Sequence, residues 1–225
     1  MARAKRVKKP AATHSENMRE KILAEALPNV PFDGWCDKTL REAAERAGAT
    51  DADLKAAFPR GVNDALVFFS DDADRRAFET IQDADLKAMK VRERITFGVR
   101  TRIEAVAEHK EAARKGAAVF ALPQNALDGA TCVYRSVDTI WRAVNDTSTD
   151  FNFYTKRALL AGVYTSTMLH WFADTSEGFE DTWKFLDRRI ADVMQIEKVK
   201  SQVIKFAETL PNPLTILGAL RYPRR

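Results

Sequence analysis

The side chains able to do covalent or acid–base chemistry are few and scattered. Cys36 and Cys132 stand far apart with no CxxC spacing, and His14, His109 and His170 fall in no ExxH or HExxH pattern. Neither thiol has a His and a base at a spacing that would make it a nucleophile, and no metal-ligand set is expected. The densest carboxylates, Asp146, Asp150, Glu177, Glu180 and Asp181, sit where helices should begin. Capping of free N–H groups and the positive helix end explain them there. We therefore expect no catalytic residues, no cofactor and no enzyme.

The chemistry the sequence does concentrate is apolar. Residues 149–187 carry Trp171 and Trp183, with Trp141 just upstream, and Phe151, Phe153, Tyr154, Tyr164, Phe172, Phe179 and Phe185. Leu160, Tyr164, Thr167, Met168 and Trp171 recur at helical spacing, as do Phe179, Trp183, Leu186, Ile190 and Val193, with a break at Asp174–Gly178 between them. Such stripes are either core or the lining of a cavity for a large apolar ligand. In the second case Leu160, Tyr164, Met168, Trp171 and Phe172 would shield the ligand, Met168 adding adaptability. Ala158, Gly162 and Ser166 give the same helix a small-sided face against which another helix, from this copy or a second, can pack closely.

Composition sets the frame. The chain has 225 residues, is 45% hydrophobic and 30% charged, and has nine glycines and eight prolines. With few β-branched runs, an all-α chain is expected. No apolar run reaches the roughly 18 residues of a membrane span. The net charge is +4, but Arg3, Lys5, Arg6, Lys8 and Lys9 supply +5 and Arg221, Arg224 and Arg225 supply +3, leaving the body near −4. This is a mildly acidic globule with basic ends. Two separate cysteines suit a reducing compartment, and the N-terminus lacks an apolar secretory h-region.

In chain order, residues 1–15 read as a disordered basic tail. Residues 16–80 read as a helical module: a helix over Met18–Leu27, a loop with Pro28, Pro31 and Gly34, a helix from Thr39, a turn at Gly48–Thr50, and a short helix Asp51–Phe58 stopped by Pro59. Thr39, Ala43, Ala44, Ala47–Thr50, Leu54, Phe58 and Leu66 resemble the helix-turn-helix module of TetR-type regulators. The helix that would enter DNA starts Asp51-Ala52-Asp53, with Lys55 behind it. Two carboxylates facing phosphate argue against DNA binding. A fourth helix is expected over Gly61–Ile81, bordered inside by Leu66, Phe69, Ala73, Arg76 and Thr80, with Asp71, Asp72 and Asp74 facing outward. One long helix is expected over Asp85–His109, then helices over Glu111–Leu122 and Asn125–Val144, the last with Leu127, Ala130, Val133, Val137, Ile140, Trp141 and Val144 inward and Cys132 and Tyr134 at its margins. Residues 81–197 read as a ligand-binding and dimerisation domain. Residues 198–225 form an amphipathic segment with Phe206, Leu210, Leu214, Leu217 and Leu220 on its apolar side and a break at Pro211-Asn212-Pro213. That segment either folds back onto the core or lies in a membrane interface.

The pattern Trp141-Arg-Ala, Asp146, Ser148-Thr-Asp-Phe-Asn152, Tyr154, Arg157-Ala158, Leu160-Ala-Gly162, Tyr164, Thr167, Phe179-Glu-Asp-Thr-Trp183, Phe185-Leu186 and Arg189-Ile190 resembles one family, the ninth Coq proteins. These are ubiquinone-biosynthesis accessory proteins with a TetR-like fold; the likeness is dense over 141–192 and looser over 18–140. The resemblance implies an all-α homodimer whose pocket binds an isoprenoid quinone or phospholipid. It implies a partner, the di-iron demethoxyubiquinone hydroxylase, met by a surface including Phe179 and Trp183. It also implies a membrane surface met by the C-terminal segment, and a ligand-responsive transcriptional regulator is the alternative. The lack of a long transit peptide points to a bacterial member, cytoplasmic and peripheral on the inner membrane.

Overall fold

Ten α-helices and four short 3-10 turns make up the regular structure described in the computed structural model, which covers residues 14–145 and 151–209, with side chains over 16–145 and 153–195. The N-terminal module comprises α1 (His14–Ala26), α2 (Val30–Asp33), α3 (Asp37–Arg46) and α4 (Asp51–Ala57). Ile22, Leu23 and Ala26 on α1, with Leu27 just after it, are buried against Leu40, Ala43 and Ala44 of α3 and against Phe58, as their spacing predicts. Gly48 takes φ +70°, a left-handed conformation open to glycine without strain. Thr50 then opens α4 through a capping box: its Oγ1 accepts from the Asp53 N–H at 3.2 Å, and the Asp53 carboxylate accepts from the Thr50 N–H at 2.9 Å. The helix-turn-helix is formed, and Asp53 is spent in closing it.

Above this module stand α5 (Val62–Asp83), α6 (Val91–Glu104), α7 (Lys110–Phe120), α8 (Ala126–Ala143), α9 (Phe151–Ala173) and α10 (Glu180–Thr209). Helix α8 is central, packing on α5, α6, α7 and α9. The fold is all-α and TetR-like.

Five sequence expectations are corrected. The expected loop at Pro28–Gly34 holds the single turn α2, whose second residue is Pro31, a position with no helical use for an N–H. Residues 85–109 are not one helix: Lys90 is extended (φ −69°, ψ 159°), its N–H donating to Glu93 at 2.7 Å, and a 3-10 turn at Ala107–His109 ends the segment. The carboxyl of Glu93 thus starts a new helix where apolar spacing alone runs on. Asp74 faces inward, not outward, and is 5% exposed, because Arg102 waits opposite it. Thr80 and Leu127 are exposed: Ala77 and Ile81 take the inner face of α5, and the first turn of α8 has solvent on its Leu127 side.

Candidate functional site

Helices α5 to α9 surround a cavity of about 350 Å³, a size typical of small-molecule sites. Its walls on α7 and α8 are built of small residues, Ala113, Gly116, Ala117, Gly129 and Ala130. Larger ones complete the lining: Leu66 and Phe69 of α5, Val106, Phe120 at the end of α7, Val133 of α8, and Tyr164, Met168 and Phe172 of α9. The void lies between these walls, and the glycines let large neighbouring side chains pack directly against their helices. A Cβ on Gly116 would stand 2.7 Å from Leu66, and one on Gly129 would stand 2.8 Å from Phe120. At the rim Ala121, Ala126, Ala130 and Leu169 are exposed, Leu169 to 61%.

One end of the cavity is polar. Arg102 of α6, 3% exposed, pairs through Nε with Asp74 of α5. Its Nη2 donates to the carbonyl and Oγ of Ser70, each at 3.2 Å. Ser136 of α8 donates to Asp74 Oδ1 at 2.7 Å and lies beside Tyr164. Burial pushes the Asp74 carboxyl above its ordinary range, against the opposing pull of Arg102. Burial likewise raises the Tyr164 phenol, and it lifts the Cys132 thiol to about 11. Cys132 is therefore a thiol, not a thiolate, at neutral pH, and a poor nucleophile.

Of the five residues expected to shield a ligand, Tyr164, Met168 and Phe172 line the cavity. Leu160 and Trp171 do not: at 3% and 0% exposure they belong to the interhelical core. Trp171 packs with Phe179 at 5.7 Å between centroids, and Lys110 lies over both rings, at 5.3 and 4.7 Å. Of the two expected partner residues, Phe179 is thus turned inward. Trp183 lies half-buried on α10 beneath the Arg100 guanidinium at 4.8 Å, its Nε1 donating to the Gly178 carbonyl at 2.8 Å. The expected membrane residues Leu210, Leu214, Leu217 and Leu220 lie outside the described residues; for Phe206 only the backbone, within α10, is described. No helix among the described residues is long and apolar enough to cross a membrane.

Asp174 fixes the turn between the two aromatic helices. It accepts from the N–H groups of Ser176 and Thr182 at 2.7 and 2.9 Å and from the Thr182 hydroxyl at 2.6 Å. Burial alone would raise this carboxyl, but those donors outweigh it and hold the group well below the usual range.

These features define an all-helical protein of the TetR architecture with an internal apolar cavity. The crystal structure of a TetR transcriptional regulator from Nitrosomonas europaea superposes with a TM-score of 0.64 at 20% identity, covering 78% of this chain and 97% of that one; this likeness concerns the fold. Residues 126–197 match the COQ9 family model. The mitochondrial ubiquinone biosynthesis protein COQ9 of Rattus norvegicus is 31% identical over 202 residues, 87% of this chain, and the Homo sapiens protein is 29% identical over the same share. The Drosophila melanogaster protein is 31% identical over 189 residues. The chain is thus similar to the COQ9 proteins, with the family-model match confined to residues 126–197, and it spans 64% of the length of the rat relative.

Proposed function

We propose that this protein is a non-enzymatic accessory protein of ubiquinone biosynthesis, holding an isoprenoid quinone precursor in its cavity and presenting it to a hydroxylase. The observation that carries this reading is the cavity itself: apolar walls, a rim of exposed alanines and Leu169, and one polar end. A polyprenyl ring compound is nearly insoluble, so a soluble or peripheral enzyme needs its substrate delivered. The similarity to ubiquinone biosynthesis proteins of rat and human supports the pathway. In this reading the protein is a homodimer and acts at a membrane surface, with residues 198–225 as the attachment. The hydroxylase, of the di-iron demethoxyubiquinone type, docks beside Trp183.

The helix-turn-helix favours one second reading, a ligand-responsive regulator. Its groove-facing helix, however, begins with the exposed carboxylate of Asp51, which opposes phosphate contact. Native mass spectrometry and lipid extraction of the purified chain, with liposome flotation of the full chain and a 1–197 truncation, test the proposal. Copurified isoprenoid lipid and flotation lost on truncation are expected. An empty protein that ignores liposomes and binds its own promoter in a salt-dependent way would overturn it in favour of the regulator.

A further inference from the structure

The polar end of the cavity is a built site with one group left over. The Arg102 guanidinium carries five N–H donors. Nε is taken by Asp74, and the two donors of Nη2 have the Ser70 carbonyl and hydroxyl as acceptors. No acceptor among the described residues meets Nη1, although the side chain is buried and forms part of the cavity lining. Nη1 is thus left to donate into the cavity, where a bound group can accept from it. We propose that Arg102 Nη1 is the anchor for a neutral oxygen acceptor, a ring carbonyl of a quinone-type head, so that the ligand enters ring-first with its isoprenoid tail toward the rim at Leu169.

Charge decides the acceptor class. Arg102 is already paired with Asp74, so the two together are neutral, and a second carboxylate would meet Asp74 as well as Arg102. A fatty acid or phosphate brings an uncompensated charge into this apolar pocket; a carbonyl brings none. The neighbouring hydroxyls of Ser70, Ser136 and Tyr164 suit a ring bearing several oxygens, and the small residues of α7 and α8 leave room for a flat ring.

This inference rests on the lipid-binding reading above, and the test separates the two. Tryptophan quenching and native mass spectrometry are run on the full chain with three probes sharing one geranyl tail: geranyl-benzoquinone, geranylbenzene and geranic acid. The quinone should bind about tenfold or more tightly than geranylbenzene, the worth of a hydrogen bond to a charged donor, and geranic acid should bind more weakly than the quinone. The bound quinone should also show a carbonyl stretch lowered in frequency. The paired variant Arg102→Met with Asp74→Leu removes both charges together; it should keep geranylbenzene binding and lose the preference for the quinone. If that variant does not fold, the probe comparison on the unaltered chain decides alone. Equal binding of quinone and geranylbenzene, or a preference for geranic acid, overturns the ring anchor and leaves lipid binding standing. Failure of all three probes to bind overturns both.

Discussion

Asp74 and Arg102 form an ion pair between α5 and α6 with both side chains more than nine-tenths buried. Each is the other's compensation, so removing one strands a charge. Arg102→Met alone should cost about 3–5 kcal/mol in urea unfolding, whereas Arg102→Met with Asp74→Leu should stay within about 2 kcal/mol of the unaltered chain. The single variant should also be pH-dependent. Burial already raises the Asp74 carboxyl, and without Arg102 it rises further. The folded state then holds its proton more tightly than the unfolded chain, so this variant loses stability as pH rises through that raised value.

Asp174 gives the opposite slope. Its carboxyl is held below the ordinary range by Thr182 and Ser176. Its contribution is complete above the unfolded value of about 4 and is lost as pH falls from there toward the folded value. Asp174→Asn should cost on the order of 1–3 kcal/mol at pH 7 and flatten the acid limb of a melting-temperature profile between about pH 5 and 2. An unchanged acid limb would remove Asp174 as the clamp of the α9–α10 turn.

Gly98 marks the crossing of α6 on α8. A Cβ there would stand 2.8 Å from Cγ2 of Ile140. In an open helix Gly→Ala gains about 1 kcal/mol; here the overlap should reverse the sign, with Gly98→Ala costing about 1–3 kcal/mol. Gly162, with nothing within 4 Å of its would-be Cβ and an exposed position on α9, supplies the contrast. Gly162→Ala should stabilise the isolated subunit by up to about 1 kcal/mol. If the small-sided face of α9 joins two copies, Gly162→Trp should shift the chain toward monomer in analytical ultracentrifugation.

Much of this architecture is legible from periodicity. The stripes of α1, α3, α9 and α10 find their neighbours because burial follows the helical period, and Thr50 caps α4 through its own hydroxyl. One wall of the cavity is legible for the same reason: Tyr164, Met168 and Phe172 lie four apart on one helix. The polar end is not. Ser70, Asp74, Arg102 and Ser136 come from three helices, and only tertiary packing brings them together. A faint signal existed in Arg102, a cation set among the buried Val99 and Ile103 of α6 and Val106 just beyond it. The small walls of α7 and α8 are silent too, because alanine suits any helix face.

The central claim is that an apolar ligand occupies the space between α7, α8 and α9, and filling that space tests it most directly. Val133→Trp and Ala117→Phe place bulk on the cavity wall from α8 and α7. Titration of geranyl-benzoquinone into the full chain and these variants, with thermal melting alongside, should show uptake by the full chain and loss of uptake in both variants while each still unfolds cooperatively. Undiminished uptake by variants that fold would contradict the account and place any bound lipid elsewhere.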